Sequence, residues 1–175
     1  MKVASFWVLF GVTMAIYLAM VLWSLPLLSA ATGGLAPFDL RFGYSLAEAQ
    51  AFLAALPPEQ NAFYANTQHV LDLVFPPLWS LTLFFAIAAL APPAIGAWKW
   101  ALAALALPLA FFDLMENFAV DRMLAAGADG LTPELVQAAS RWTMVKAGFT
   151  TLVLTLLLIL LIAYWVPRLR KPAQP

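Results

Sequence analysis

Three stretches of this chain run uncharged for long enough to cross a bilayer, and a fourth does so only by taking carboxylates with it. The uncharged runs cover residues 3–31, 73–91 and 147–166. Each reaches or approaches the ~20 apolar residues, at a helical rise of ~1.5 Å each, that span the hydrocarbon core. The remaining run, residues 100–112, holds only 13 residues. To reach about 20 it must continue to near Ala119. It then passes through "FFDLMENFA" and draws Asp113 and Glu116 into the membrane.

Composition agrees with this membrane reading. Hydrophobic residues make up 64% of the chain and charged residues 10%, against about 45–50% and about 25% in soluble domains. There is no cysteine, which excludes disulfides, thiolate metal sites and thiol catalysis. Nine basic residues balance nine acidic ones, with no basic run interleaved with aromatics, so nucleic acid is not an expected partner. The first span has the outline of a signal peptide, with Lys2 before it and "LLSAATG" after it. Its apolar stretch exceeds the about 7–15 residues of such a segment, so a retained span is the expectation.

Lys2, Lys99, Arg168, Arg170 and Lys171 fall on one side of four such spans, without any acidic residue among them. The positive-inside rule therefore puts both termini in the cytoplasm, as expected for a multi-pass protein of the cell (inner) membrane. Trp7, Trp98, Trp100, Tyr164 and Trp165 suit an inner aromatic belt, and Trp23, Tyr64 and Trp142 an outer one. The expected fold is all-α, an integral membrane four-helix up-and-down bundle forming one domain over 1–175. Its spans lie at about 3–31, 60–91, 97–126 and 133–166, with an outer loop and amphipathic helix over 32–59 and a cytoplasmic tail at 167–175.

Within the loop, "SLAE" at Ser45 to Glu48 reads as a capping box that starts a helix running to Leu56 and ending at Pro57 and Pro58. Leu46, Leu53 and Leu56 share one side, and a helix resting on the membrane surface is favoured over one lidding the bundle. A further helix starts at Pro58 and bends at Pro76 and Pro77, where backbone donors are missing. Thr132 caps the last helix, with Pro133 in its first position.

The charges of three helices then meet at one depth. Asp113, Glu116, Asn117 and Asp121 follow i, i+3, i+4, i+8 and line one stripe. Gln68, His69 and Asp72 close the second span, and Thr143, Lys146 and Thr150 share a side of the fourth, with Arg141 offset. A lone ionised group at the centre of a membrane helix costs about 2.5–3.5 kcal/mol, so such groups turn inward and pair. Lys146 is the expected partner of Asp113 or Glu116, and Arg141 of the carboxylates farther out. The candidate ligand-binding cluster is therefore Asp72, Asp113, Glu116, Asn117, Lys146, His69, Gln68 and Arg141. Carboxylates outnumber the embedded lysine, which suits a cationic or hydroxylated ligand or an exchange of protons. The Glu-x-x-His pairs of di-iron bundles are absent, as is a nucleophile-elbow motif. No metal, no cofactor and no assigned catalytic residue is expected.

"FGYSLAEAQAFLAALPPEQNAFYANTQHVLDLVFPPLWSL" and "FFDLMENFAVDR" resemble an uncharacterised set of bacterial four-pass integral membrane proteins without a known activity. The shared pattern lies at Gly43 and Tyr44, at Asp72, Phe75 and Pro76, and at Asp113, Glu116 and Asn117. More distantly, "LDLVFPPLW" is similar to the acid-then-proline second helix of the EXPERA (emopamil-binding/sigma-2-type) proteins, which bind or isomerise sterol-like lipids; this is analogy of fold. Three functions are expectations. The leading one is binding of a small amphipathic or lipid-like ligand in a polar pocket open to the non-cytoplasmic side. The second is an accessory or assembly subunit with a membrane-protein partner, using the face of Ala101, Ala103, Ala104 and Ala106. The third is an isomerase-type enzyme using Asp and Glu as acid and base. Membrane lipids are partners in each.

Overall fold

The computed structural model describes residues 3–169, so Lys2, Arg170 and Lys171 lie outside the described residues. Every regular element among the described residues is helical. Four helices are long and apolar enough to cross a membrane: α1 (Val3–Ala31), α3 (Pro58–Leu90), α4 (Trp98–Gly130) and α5, whose apolar span is Pro133–Val166 and which continues to Leu169. A shorter helix, α2 (Leu46–Ala55), lies between α1 and α3.

Local chemistry accounts for where these helices start, widen and break. Ser45 caps α2 as its sequence predicts: the Glu48 amide donates to the Ser45 hydroxyl at 3.3 Å, and the Ser45 amide donates to Glu48 Oε2 at 2.7 Å. Thr132 accepts from the Leu135 amide at 3.3 Å, with Pro133 opening α5. α3 runs through Pro76 and Pro77 without interruption, and the neighbouring α4 re-satisfies the Asp72 carbonyl that Pro76 leaves free. α4 is not the continuous span expected. Pro108 lacks the N–H that Ala104 would receive, and residues 105–107 tighten into i→i+3 turns. Ser80 from α3 donates to the Ala106 carbonyl at 2.9 Å across this break. At its far end α4 kinks at Gly127, whose φ of 65° favours glycine.

α1 and α3 each contain one wide π turn, at Met20–Ser24 and Tyr64–Gln68, and the two face each other. Such turns disturb the regular ladder and often occur at functional positions.

α1 packs along α3, and α4 packs between α3 and α5. Thr13 and Thr82 join α1 to α3 at 3.1 Å, and Tyr17 stacks on Phe75 with centroids 5.9 Å apart. At one end Leu83, Ile87, Ala103, Ala106, Leu109 and Val153 pack together. Ala103 and Ala106 are both fully buried there, so half of the small-residue face is used within the chain. At the other end α2 lids the packed helices, contrary to the expected surface helix. Ala49 and Phe52 are fully buried, and they sit among Phe38, Tyr44, Tyr64, Val120, Met123 and Val136. The reason lies in residues 49 and 52, which complete the apolar stripe with Leu53 and Leu56 and require a protein surface to cover them. Arg41 closes this cluster from above, 5.3 Å from the ring centres of both Phe38 and Phe52.

Candidate functional site

The carboxylates of α4 meet the lysine of α5. Lys146 Nζ lies 3.0 Å from Asp113 Oδ1 and donates to Glu116 Oε2. The other oxygen of Glu116 accepts from the Thr143 hydroxyl at 2.6 Å. Asp113 with Glu116, and Thr143 with Lys146, are each three residues apart, so each pair projects from one face of its helix and the two faces meet. Glu116 has no exposed surface, and the Lys146 and Asp113 side chains retain 22% and 15%. The opposite charges and the hydroxyl together allow an acid to stay fully enclosed.

A second polar row runs across α1, α3 and α4. Ser24 donates to Gln68 Oε1, and Gln68 Nε2 donates to Asp72 Oδ2 at 2.9 Å. Pro76 cannot donate to the carbonyl of Asp72 four residues earlier. That free carbonyl accepts instead from Asn117 Nδ2 at 2.8 Å. Asn117 thus repairs the proline defect from the next helix. His69 Nδ1 lies 3.0 Å from Asp121 Oδ2, nearer the surface.

Like Ser24, the residues Asp39, Tyr64 and Tyr44 lie outside the expected cluster. Asp39, on the short turn Phe38–Leu40, accepts from the Tyr64 hydroxyl. Tyr64 therefore belongs to the interior, at 2% exposure, and not to an outer aromatic belt. Its partner was not legible because the loop returns onto the helices only in three dimensions. The Tyr44 amide donates to the Ser140 hydroxyl at 2.9 Å, holding the loop against α5, where a Cβ on Gly43 would lie 3.3 Å from Ser140 Oγ and Met144 Cγ. Burial raises the Tyr44 hydroxyl above its ordinary pKa, with the nearby Thr143 side chain acting against that rise. Arg141, expected to serve the outer carboxylates, is exposed and forms no ion pair among the described residues. It lies five residues before Lys146, which turns it about 140° around the helix, away from the acids.

A cavity of about 510 Å³ is bordered by four of these groups, Asp39, Asp72, Asp113 and Lys146. Met14, Tyr17, Met20, Val21 and Leu25 of α1 form one wall, and Lys146, Thr150 and Leu154 of α5 face them. Asp72, Phe75, Pro76 and Trp79 of α3 line it too, as do Leu109 and Asp113 of α4 and Asp39 and Leu40 of the loop. The space is apolar along most of its length, not the polar pocket expected, with its charged groups at one end. A separate void of about 10 Å³, lined by Asp39, Tyr64, His69, Asp72, Asn117 and Asp121, lies beside the charged end. Among the described residues, no group of three or more His, Asp or Glu side chains is placed to hold a metal ion. An apolar cavity ending in a few convergent polar groups is the usual form of a small-molecule site. Comparison with family models, curated proteins and solved structures finds no match to this chain.

Proposed function

We propose that this protein is a multi-pass membrane protein that binds a small amphipathic ligand, head toward the acids and tail along the apolar walls. The four helices cross the cell (inner) membrane up and down, with both termini cytoplasmic, as the distribution of Lys and Arg favours. The outward faces support this placement: Leu22, Leu158, Ile159 and Ile162 are each more than half exposed and apolar. One observation carries the binding reading: a cavity of about 510 Å³ with apolar walls carries Asp39, Asp72, Asp113 and Lys146 at one end. With Glu116 and Asp113 set against Lys146, Asp39 and Asp72 leave the charged end rich in acceptors. The head group it suits is a cation or a hydrogen-bond donor, such as an amine or an alcohol.

Dodecylamine, dodecanol and dodecanoate, offered to the protein in nanodiscs, test this by native mass spectrometry. The amine and the alcohol should bind and the carboxylate should not. In Asp72→Asn the affinity for the amine should fall about tenfold or more, since a hydrogen bond to a charged group contributes ~1.5–3 kcal/mol. Equal binding of all three probes, or identical profiles in wild type and variant, would refute the reading.

A second reading is acid–base chemistry on the bound ligand, favoured by two carboxylates from different helices, Asp72 and Asp113, lining one cavity. An accessory-subunit reading would rest on Ala101 and Ala104, since Ala103 and Ala106 are buried inside the chain.

A further inference from the structure

The surroundings of the cavity differ sharply on its two sides. Toward the surface between α1 and α5 the exposed lining residues are Tyr17 at 43%, Val21 at 37% and Leu154 at 39%, all presenting mainly hydrocarbon, and Leu40 of the loop is exposed at the charged end. α1 rests along α3, and its packing against α5 is slight by comparison. On the other side, Asp39 and Asp72 also border a separate void of about 10 Å³. That is about the space one water needs, and the paired His69 and Asp121 stand at it. A tail of several carbons cannot use this route.

We infer that the ligand reaches the cavity sideways out of the bilayer, between α1 and α5, and is a membrane-resident amphiphile and not a water-borne solute. The inference rests on the binding reading above and adds the route and the source of the ligand. A gap rimmed by apolar side chains is well matched to lipid and poorly matched to water. From Met14 to Leu25 the lining follows α1 for about three turns, roughly 16 Å. That length suits a hydrocarbon tail laid parallel to the helices, with its head held at Asp39 and Asp72. An apolar helix from a second copy would be a poor occupant, since it would cover those charged groups without offering them a partner.

The absence of cysteine from the chain makes the route testable. Tyr17→Cys with Leu154→Cys puts one thiol on each side of the gap, to be bridged by a bifunctional methanethiosulfonate linker that reductant removes. The protein, in nanodiscs and loaded with deuterated dodecylamine, is mixed with phosphatidylethanolamine–phosphatidylglycerol vesicles carrying unlabelled dodecylamine, and label loss is followed by native mass spectrometry. With the linker in place, exchange should slow at least tenfold relative to the same variant without it, and reduction should restore it. Slowing of less than tenfold would overturn the lateral route while leaving binding intact. A wild-type protein that never takes up dodecylamine would instead remove the binding reading itself. Val21→Trp with Leu154→Trp, which narrows the gap at two exposed positions, provides the same test without cross-linking. Its exchange should also be slower than wild type, and an equal or faster rate would overturn the route.

Discussion

Replacing Lys146 with methionine removes a charge while keeping an unbranched apolar stem of similar reach. In the structure this one ammonium serves two acids, Asp113 at 3.0 Å and Glu116, which has no exposed surface. After the substitution Glu116 keeps a single neutral donor, the Thr143 hydroxyl at 2.6 Å. Removing one partner of a buried ion pair costs about 3–5 kcal/mol, because the other charge stays enclosed. At 1.4 kcal/mol per tenfold, that is about two to three and a half powers of ten in the folding equilibrium. Glu116→Gln should be milder, about 1–2 kcal/mol, because Lys146 keeps Asp113 and the amide oxygen can still accept from Thr143. The double variant should be less destabilised than the sum of the singles by at least about 1 kcal/mol. Reversible unfolding in mixed micelles of rising SDS fraction, followed by helical circular dichroism, measures all three. If Lys146→Met proves no worse than Glu116→Gln, or the effects add within about 0.5 kcal/mol, the lysine does not neutralise these acids.

Two further outcomes follow from the loop. Tyr64→Phe removes the hydroxyl that holds Asp39 over the cavity, so amide exchange over residues 36–44 should rise about tenfold or more, as loss of a charge-assisted bond of ~1.5–3 kcal/mol implies; unaltered exchange would show that Asp39 is held by other means. Ser45→Ala should cost about 1 kcal/mol, read as lost protection across Leu46–Ala55. Bonds from the Ser45 amide and hydroxyl hold the Glu48 carboxyl below its ordinary pKa, so its contribution is complete above the ordinary value of about 4.3. Protection should stay level from pH 7 to 5 and fall as pH drops through the lowered value, and Glu48→Gln should abolish that acid limb.

Much of the site was readable before folding was considered. Helix periodicity alone put Asp113 with Glu116, and Thr143 with Lys146, on single faces. The apolar run at 100–112 was too short to span without those acids. The capping box and the Thr132 cap were legible because each is closed by neighbours within three residues. Asp39, Ser24 and Tyr64 were not. Their partners lie 25 to 44 positions away in the chain, and no short pattern announces a loop that folds back. Arg141 was assigned to the outer acids by depth along its helix, whereas its direction around the helix decided the matter.

What the amino-acid order determined alone is whatever depends on local periodicity and on total apolar length: the helices, their caps, and the need for the acids to find a cation indoors. Tertiary packing decided what depends on several helices at once. It set α2 as a lid, made Asn117 the partner of the carbonyl that Pro76 leaves free, and placed Asp39 at the charged end of the cavity. The physical reason is one of range. A helix satisfies its own backbone within a turn, but a proline defect, a buried carboxylate or an uncovered apolar stripe can be satisfied only by whichever distant segment packs beside it.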